Sequence, residues 1–258
     1  MTSTLLAFDT STELMSLALT RPDGSVRVRE SAGGPQASAA LVPGVLALLA
    51  EAGCSWADVD AIAFGRGPGA FTGLRTACSV AQGLALGAGK PVIPIDSLLL
   101  VAEAARGQLD PAERFEIWVA MDARMDEVYA AAYRWEAGRA VPWQTVCEPA
   151  LYAVDALRQR WQAVPPPVVA GSALDAFGDR LGLREAGPSA PAPIGATRLL
   201  REPGPRAAAL ARLATQLWAQ GATVDAALAL PVYLRDKVAQ TTAEREAHRL
   251  AREGSVAP

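Results

Sequence analysis

Short apolar runs open the chain and then give way to helical spacing. Leu5 to Phe8 ends on the polar string Asp9-Thr10-Ser11-Thr12, Met15 to Leu19 follows, and a Pro22-Asp23-Gly24 turn leads into Val26 to Arg29. Strands joined through such a turn run antiparallel. Ala37 to Ala52 carries Leu41, Val45, Leu48 and Leu49 at helical spacing, with Gly53 as its stop. Asp60 to Phe64 reads as a buried strand, 65–70 as a glycine-rich loop, and about Thr72 to Leu86 as a second helix. Val92 to Ile95 is another strand, and Asp96-Ser97 supplies an N-cap for a helix over about Leu98 to Ala105. The order βββαβαβα predicts a mixed sheet, antiparallel on one side and parallel on the other.

A polar stretch from Gln108 to Glu113, containing Pro111, reads as a boundary, and a similar grammar restarts beyond it. Strands are predicted at Glu116–Met121, Glu127–Arg134, Val141–Val146 and Val168–Ala170, with helices at about Val154–Trp161 and Ala173–Leu181. Pro188 to Pro205 reads as a loop before a long Ala-rich helix from Arg206 to about Ala219. A plan written twice predicts an α/β protein of two lobes of related fold, with no residue-level repeat. The first lobe is expected over 1–107, completed by the helix at 206–220 and the segment 230–236. The second is expected over 108–205, and a charged tail over 239–258.

A chain of 258 residues fits one large or two modest domains. With 51 % apolar and 20 % charged residues it buries a core and is not disordered. Its 24 basic and 27 acidic residues give a charge of −3, which leaves no footprint of a free-standing nucleic-acid binder. Cys54, Cys78 and Cys147 stand far apart without C-x-x-C spacing, which points to a reducing compartment. The N-terminus lacks the basic region and long apolar stretch of a signal peptide, and other apolar stretches break before the ~20 residues of a membrane span. A cytoplasmic protein with no membrane attachment is expected. The single histidine, His248, lies in the polar tail. A histidine pair for a metal is therefore excluded, and so is a Ser-His-Asp or Cys-His site in the folded body.

The loop from Gly65 to Arg75 follows a strand and opens a helix. Two readings stay open. Gly67, Gly69, Thr72 and Gly73 either cradle an anion on free N–H groups or make a tight strand-to-helix turn. Asp9, Thr10 and Ser11 could contact a magnesium nucleotide, but with no second carboxylate a local hydroxyl turn is preferred. Leu41, Val45, Leu48 and Leu49 of one helix, and Phe71, Leu74, Arg75 and Cys78 of the next, either face a partner or cover their own sheet. Asp122, Arg124, Asp126 and Glu127 read as a salt-bridged turn, since acid catalysis by Asp122 and Glu127 needs a water-poor cleft. Pro231 to Arg235 reads as a short β-like segment.

Leu6-Ala7-Phe8-Asp9-Thr10-Ser11-Thr12, Gly67-Pro68-Gly69-Ala70-Phe71-Thr72-Gly73-Leu74-Arg75, Met121 to Tyr129 and Pro231 to Arg235 occur in an order that resembles the bacterial TsaB (YeaZ) family. The resemblance covers about residues 5–236. It implies the actin-like ATPase (ASKHA, ribonuclease H-like) fold, and a non-catalytic subunit of the machinery that makes N6-threonylcarbamoyladenosine in tRNA. The implied partner is TsaD, which transfers threonylcarbamoyl to the adenosine beside the anticodon and holds a metal through a histidine pair. The implied pairing surface is the two first-lobe helices named above, and no histidine occurs in Ala37–Ala52. The resemblance further implies the ATPase TsaE as a partner, a homodimer when TsaD is absent, and contact with tRNA only through the complex. No cofactor is expected on this chain, and ATP and a metal belong to the partner subunits. Gly33 to Ser38 departs from the family's His-Ser-like entry to the first helix. The competing readings are a nucleotide-binding phosphotransferase of the same fold, which needs ATP turnover by the isolated chain, and a protease, which lacks metal ligands.

Overall fold

The chain writes one strand plan twice. In a computed structural model, which describes residues 3–109, 114–186 and 195–235, the first half holds β1 (Leu5–Asp9), β2 (Leu14–Thr20), β3 (Val26–Ala32), α1 (Ala37–Ala52), β4 (Ala61–Gly67), α2 (Phe71–Ala88), β5 (Val92–Asp96) and α3 (Ser97–Arg106). The second holds β6 (Phe115–Asp122), β7 (Glu127–Trp135), β8 (Trp143–Ala153), α4 (Val154–Ala163), β9 (Val168–Ala170), α5 (Ala173–Phe177), β10 (Arg198–Leu200) and finally α6 (Arg206–Ala219). The sheets run β3-β2-β1-β4-β5 and β8-β7-β6-β9-β10. In each, three meandering strands pair antiparallel and two later strands add in parallel. A mixed sheet of this order, duplicated, is the actin-like ATPase fold.

Alternation along the strands sorts the apolar residues into layers. On one face of the first sheet, Leu6, Phe8, Leu17, Ile62 and Phe64 pack under α1 and α2. On the other, Ala7, Ala18, Ala61 and Ala63 are small enough to bring α3 and α6 close. The same α3–α6 layer continues onto Ile117, Val119, Ala131 and Tyr133 of the second sheet, so both lobes share one core. Trp118, Val128, Val169 and their neighbours pack under α4 and α5 on the far side.

Four details differ from the sequence pattern. β10 lies inside the stretch read as a loop, because three residues are too few to show a period. α5 stops at Phe177, where Gly178 takes φ +48° and a 3₁₀ turn, Gly178–Leu181, follows. β8 starts at Trp143 and runs to Ala153 past Pro149, as an edge strand permits. Pro231–Arg235 forms no strand, although Val232 N donates to Arg66 O at 2.7 Å. Pro111, the tail at 239–258 and His248 lie outside the described residues.

Two carboxylates, one buried and one half-buried, join the lobes. Glu103 of α3 is wholly buried. It accepts bonds from Arg106 (2.8 and 3.0 Å), from Trp143 Nε1 of the second lobe (2.8 Å), and from Arg212 of α6. Asp96, the N-cap of α3, accepts from Leu98 N (2.8 Å) with one oxygen and from the Tyr133 hydroxyl (2.9 Å) with the other. Burial raises the Asp96 carboxyl above its ordinary range, against those hydrogen bonds, and lifts the Tyr133 phenol well above its own. A carboxyl raised on folding binds its proton more tightly in the native state, so stability falls as pH rises from the unfolded value, about 4, through the raised one. Asp96→Asn keeps the cap and removes the half-buried charge. It should match or exceed wild-type stability at pH 7 and fall behind near pH 4 in urea unfolding. A pH-independent difference would refute this account.

Candidate functional site

β1 ends at Asp9, behind Ser11, Ser97 and Arg206, which line a cleft of about 1160 Å³ between the lobes. Asp9 is wholly buried. Its Oδ1 accepts from Ser11 N (2.9 Å), Ser11 Oγ (2.7 Å) and Arg206 (3.1 Å), and its Oδ2 accepts from Ser97 Oγ (3.0 Å). The Ser11 N bond is an Asx turn, which closes the β1–β2 corner. Ser97 Oγ in turn accepts from Gly67 N at 3.1 Å.

The glycine loop is pressed onto this corner. A Cβ on Gly65 would lie 1.7 Å from Asp9 Oδ2, one on Gly69 2.6 Å from Ser11 O, and one on Gly73 1.8 Å from Thr10 O. Ala70 N donates to Ser11 O (2.8 Å), and Thr10 Oγ1 donates to Gly73 O (2.7 Å). Gly67, at φ +108°, lies under Val232 O. Thr72 alone of the seven polar and glycine candidates is exposed, in the first turn of α2. The glycines thus serve close approach of one backbone to another.

The mouth of the cleft is pinned by the C-terminal segment. Tyr233 stacks on Phe71 with centroids 5.2 Å apart, and the Arg75 guanidinium lies 3.8 Å over Phe71. Arg235 pairs with Glu127 and donates to Arg124 O (3.2 Å). Arg124, Met125 and Asp126 all take left-handed φ in the β6–β7 turn. Arg124 pairs with Asp122 at 3.1 Å, so both carboxylates weighed as acids are engaged by arginines. Among the described residues, no three His, Cys, Asp or Glu side chains gather as metal ligands would.

The expected partner face needs correcting. Leu41, Val45, Leu48, Leu49, Leu74 and Cys78 are at most 5 % exposed. All but Leu74 belong to the core under the first sheet, and Cys78 Sγ lies 3.0 Å from Ala229 O. Helical spacing marked the inward stripe, since a stripe packed on its own sheet has the same period as one packed on a partner. Phe71 and Arg75 remain accessible. The outward stripe of α1 is Ala39, Val42, Pro43, Leu46 and Ala50. That of α2, beside it, is Ser79, Gly83, Leu86 and Gly87.

A family profile described as "TsaD: tRNA N6-adenosine threonylcarbamoyltransferase" matches residues 34–162. The tRNA threonylcarbamoyladenosine biosynthesis protein TsaB of Escherichia coli is 35 % identical over 239 residues, 91 % of this chain and 96 % of that one. This chain belongs to the TsaB family. TsaB of Haemophilus influenzae is 47 % identical over 126 residues, 49 % of this chain and 52 % of that protein. The solved structure of YeaZ from Pseudomonas aeruginosa superposes with a TM-score of 0.72 at 37 % identity, covering 90 % of this chain and all of the other. A further structure, described as having similarity to the peptidase YEAZ from the same organism, gives 0.73 at 37 % identity over the same shares.

The fold that TsaB proteins share with actin-like ATPases implies a magnesium nucleotide in the cleft, and these residues do not fit one. Magnesium needs carboxylate oxygens free to coordinate, whereas both oxygens of Asp9 already accept hydrogen bonds and Gly65 closes on one of them. Arg206, Ser97, Glu103, Trp143 and Tyr133 were not singled out from the sequence. For Arg206 and Glu103 a signal existed, a lone charge inside an otherwise apolar helix turn.

Proposed function

We propose that this chain is a non-catalytic subunit of the tRNA threonylcarbamoyladenosine machinery, which pairs with and supports the TsaD catalytic subunit through the outward stripes of α1 and α2. The observation that carries the reading is the composition of these helices. Each contains one charged residue, Glu51 in α1 and Arg75 in α2, and α1 is apolar on both sides. From Gly34 to Ala52 the chain is long and apolar enough to cross a membrane, with a mean hydropathy of 1.3. Its inner side covers the sheet, while Val42 and Leu46 stand 36 % and 49 % exposed. Apolar area depleted of charge is the makeup of the buried centre of an interface.

A protein partner suits this face, since the opposite side of α1 is fixed in the core. TsaE joins the pair, ATP and a metal belong to those partners, and tRNA reaches this chain only through the complex, in the cytoplasm. Without TsaD the same face pairs two copies of this chain. The engaged state of Asp9, Asp122 and Glu127 supports the absence of chemistry on this subunit.

The test is modification of an unmodified tRNA by TsaD and TsaE with and without this chain, beside ATP hydrolysis by the chain alone. Modification only when it is present, with no turnover by it alone, is the expected result. ATP turnover by the isolated chain, lost on Asp9→Ala, would make it an enzyme.

A further inference from the structure

The misfit between the cleft and a magnesium nucleotide has a specific cause. Asp9 is a fully buried carboxylate at the end of a central strand, and a buried charge of this kind needs a counter-charge. Arg206, the first residue of α6, supplies it. One amino group of the guanidinium lies 3.1 Å from Asp9 Oδ1 and 3.1 Å from Ser11 Oγ. Arg206 is itself 7 % exposed and, among the described residues, forms no other ion pair. Its Nε is buried without a hydrogen bond, so among the described residues Asp9 and Ser11 hold the guanidinium through one amino group alone. On the other side of the carboxylate, Oδ2 accepts from Ser97 Oγ at 3.0 Å and faces Gly65 so closely that a Cβ there would stand 1.7 Å from it.

We infer that Arg206 is the resident cation of this cleft: its guanidinium takes the charge-balancing position at Asp9 and thereby closes the cleft to metal–nucleotide complexes. The closure is a matter of exchange. A divalent ion reaching Asp9 displaces Arg206, which then lies buried with no counter-charge, and that cost opposes binding. In this chain Arg206 is a specificity determinant. It separates a subunit whose cleft is a fixed joint from an ATPase of the same fold.

The probe is Mn²⁺–ADP added to the isotope-labelled protein, with amide signals of Ser11, Gly65, Gly67 and Ser97 read by NMR. A paramagnetic ion at Asp9 broadens these four signals most strongly, ahead of those of amides farther from it. The wild-type protein should retain them at stoichiometric Mn²⁺–ADP. Arg206→Gln, which removes the cation from Oδ1 while the Ser11 and Ser97 bonds remain, should lose them, with affinity at least about tenfold above wild type. Selective loss in the wild-type protein overturns the inference. Retention in a folded Arg206→Gln protein overturns it as well, since something other than Arg206 would then exclude the ion. Should Arg206→Gln not fold, Arg206→Lys, whose shorter side chain ends in a single ammonium instead of the guanidinium that bonds Asp9 Oδ1 and Ser11 Oγ, replaces it under the same criteria.

Discussion

Leu46→Asp should abolish pairing with the TsaD subunit while leaving this chain folded. Leu46 is 49 % exposed on the outward stripe of α1, so in the free chain the carboxylate stays in water. Once a partner covers the stripe, the charge is buried unpaired, which costs several kcal/mol. Affinity should fall by about a hundredfold or more. Leu48, two residues on and 1 % exposed, gives the contrast. Leu48→Asp places the charge in the chain's own core and should unfold it, so lost pairing there says nothing about the interface. Calorimetric titration with TsaD, together with a thermal melt of each variant, separates the cases. Full affinity in a folded Leu46→Asp protein would move the interface away from α1.

Gly73→Ala should destabilise the chain by about 4 kcal/mol or more, beyond the range of ordinary substitutions. The new methyl would stand 1.8 Å from Thr10 O, a backbone atom fixed by the β1–β2 corner. Thr10 Oγ1 also donates to the Gly73 carbonyl, so separating the two segments breaks that bond. Gly83, in the same helix, has nothing within 4 Å of its would-be Cβ. There alanine should stabilise by up to about 1 kcal/mol through helix propensity alone. Urea unfolding of the two variants tests the account, and similar melts would show that the glycine loop is not in close contact with the corner.

The strand plan was legible because each strand of the first lobe except the polar, exposed β3 is a clear apolar run with a turn, loop or cap signal after it. Ala37–Ala52 and Val168–Ala170 have the bounds their patterns predict. Three-residue β10 was not, for it has no room to display a period. The site was legible only as far as its loop. Gly65 to Gly73 announces a backbone that must come close to something, but sequence does not say whether that something is an anion or the chain's own Asp9–Ser11 corner. Arg206 stands 197 residues from Asp9, and no local pattern links them. The two faces of α1 were confused because both are apolar, and burial alone tells Leu48 from Leu46.

The placement of α6 has a consequence for synthesis of the chain. It packs on β1, β2, β3 and β5, yet it follows the whole second sheet in sequence. On the ribosome, Ala7 of β1 and Ala18 of β2 therefore emerge long before the helix that covers them, whereas α3 already lies over β4. The amino-terminal half waits with an open apolar sheet face until residues 206–219 have left the exit tunnel, while the second sheet is being made. Folding that closes only on distant contacts is slow and exposed to aggregation. Nascent chains stalled before residue 206 should accordingly be captured by chaperones, and those released after 235 should not.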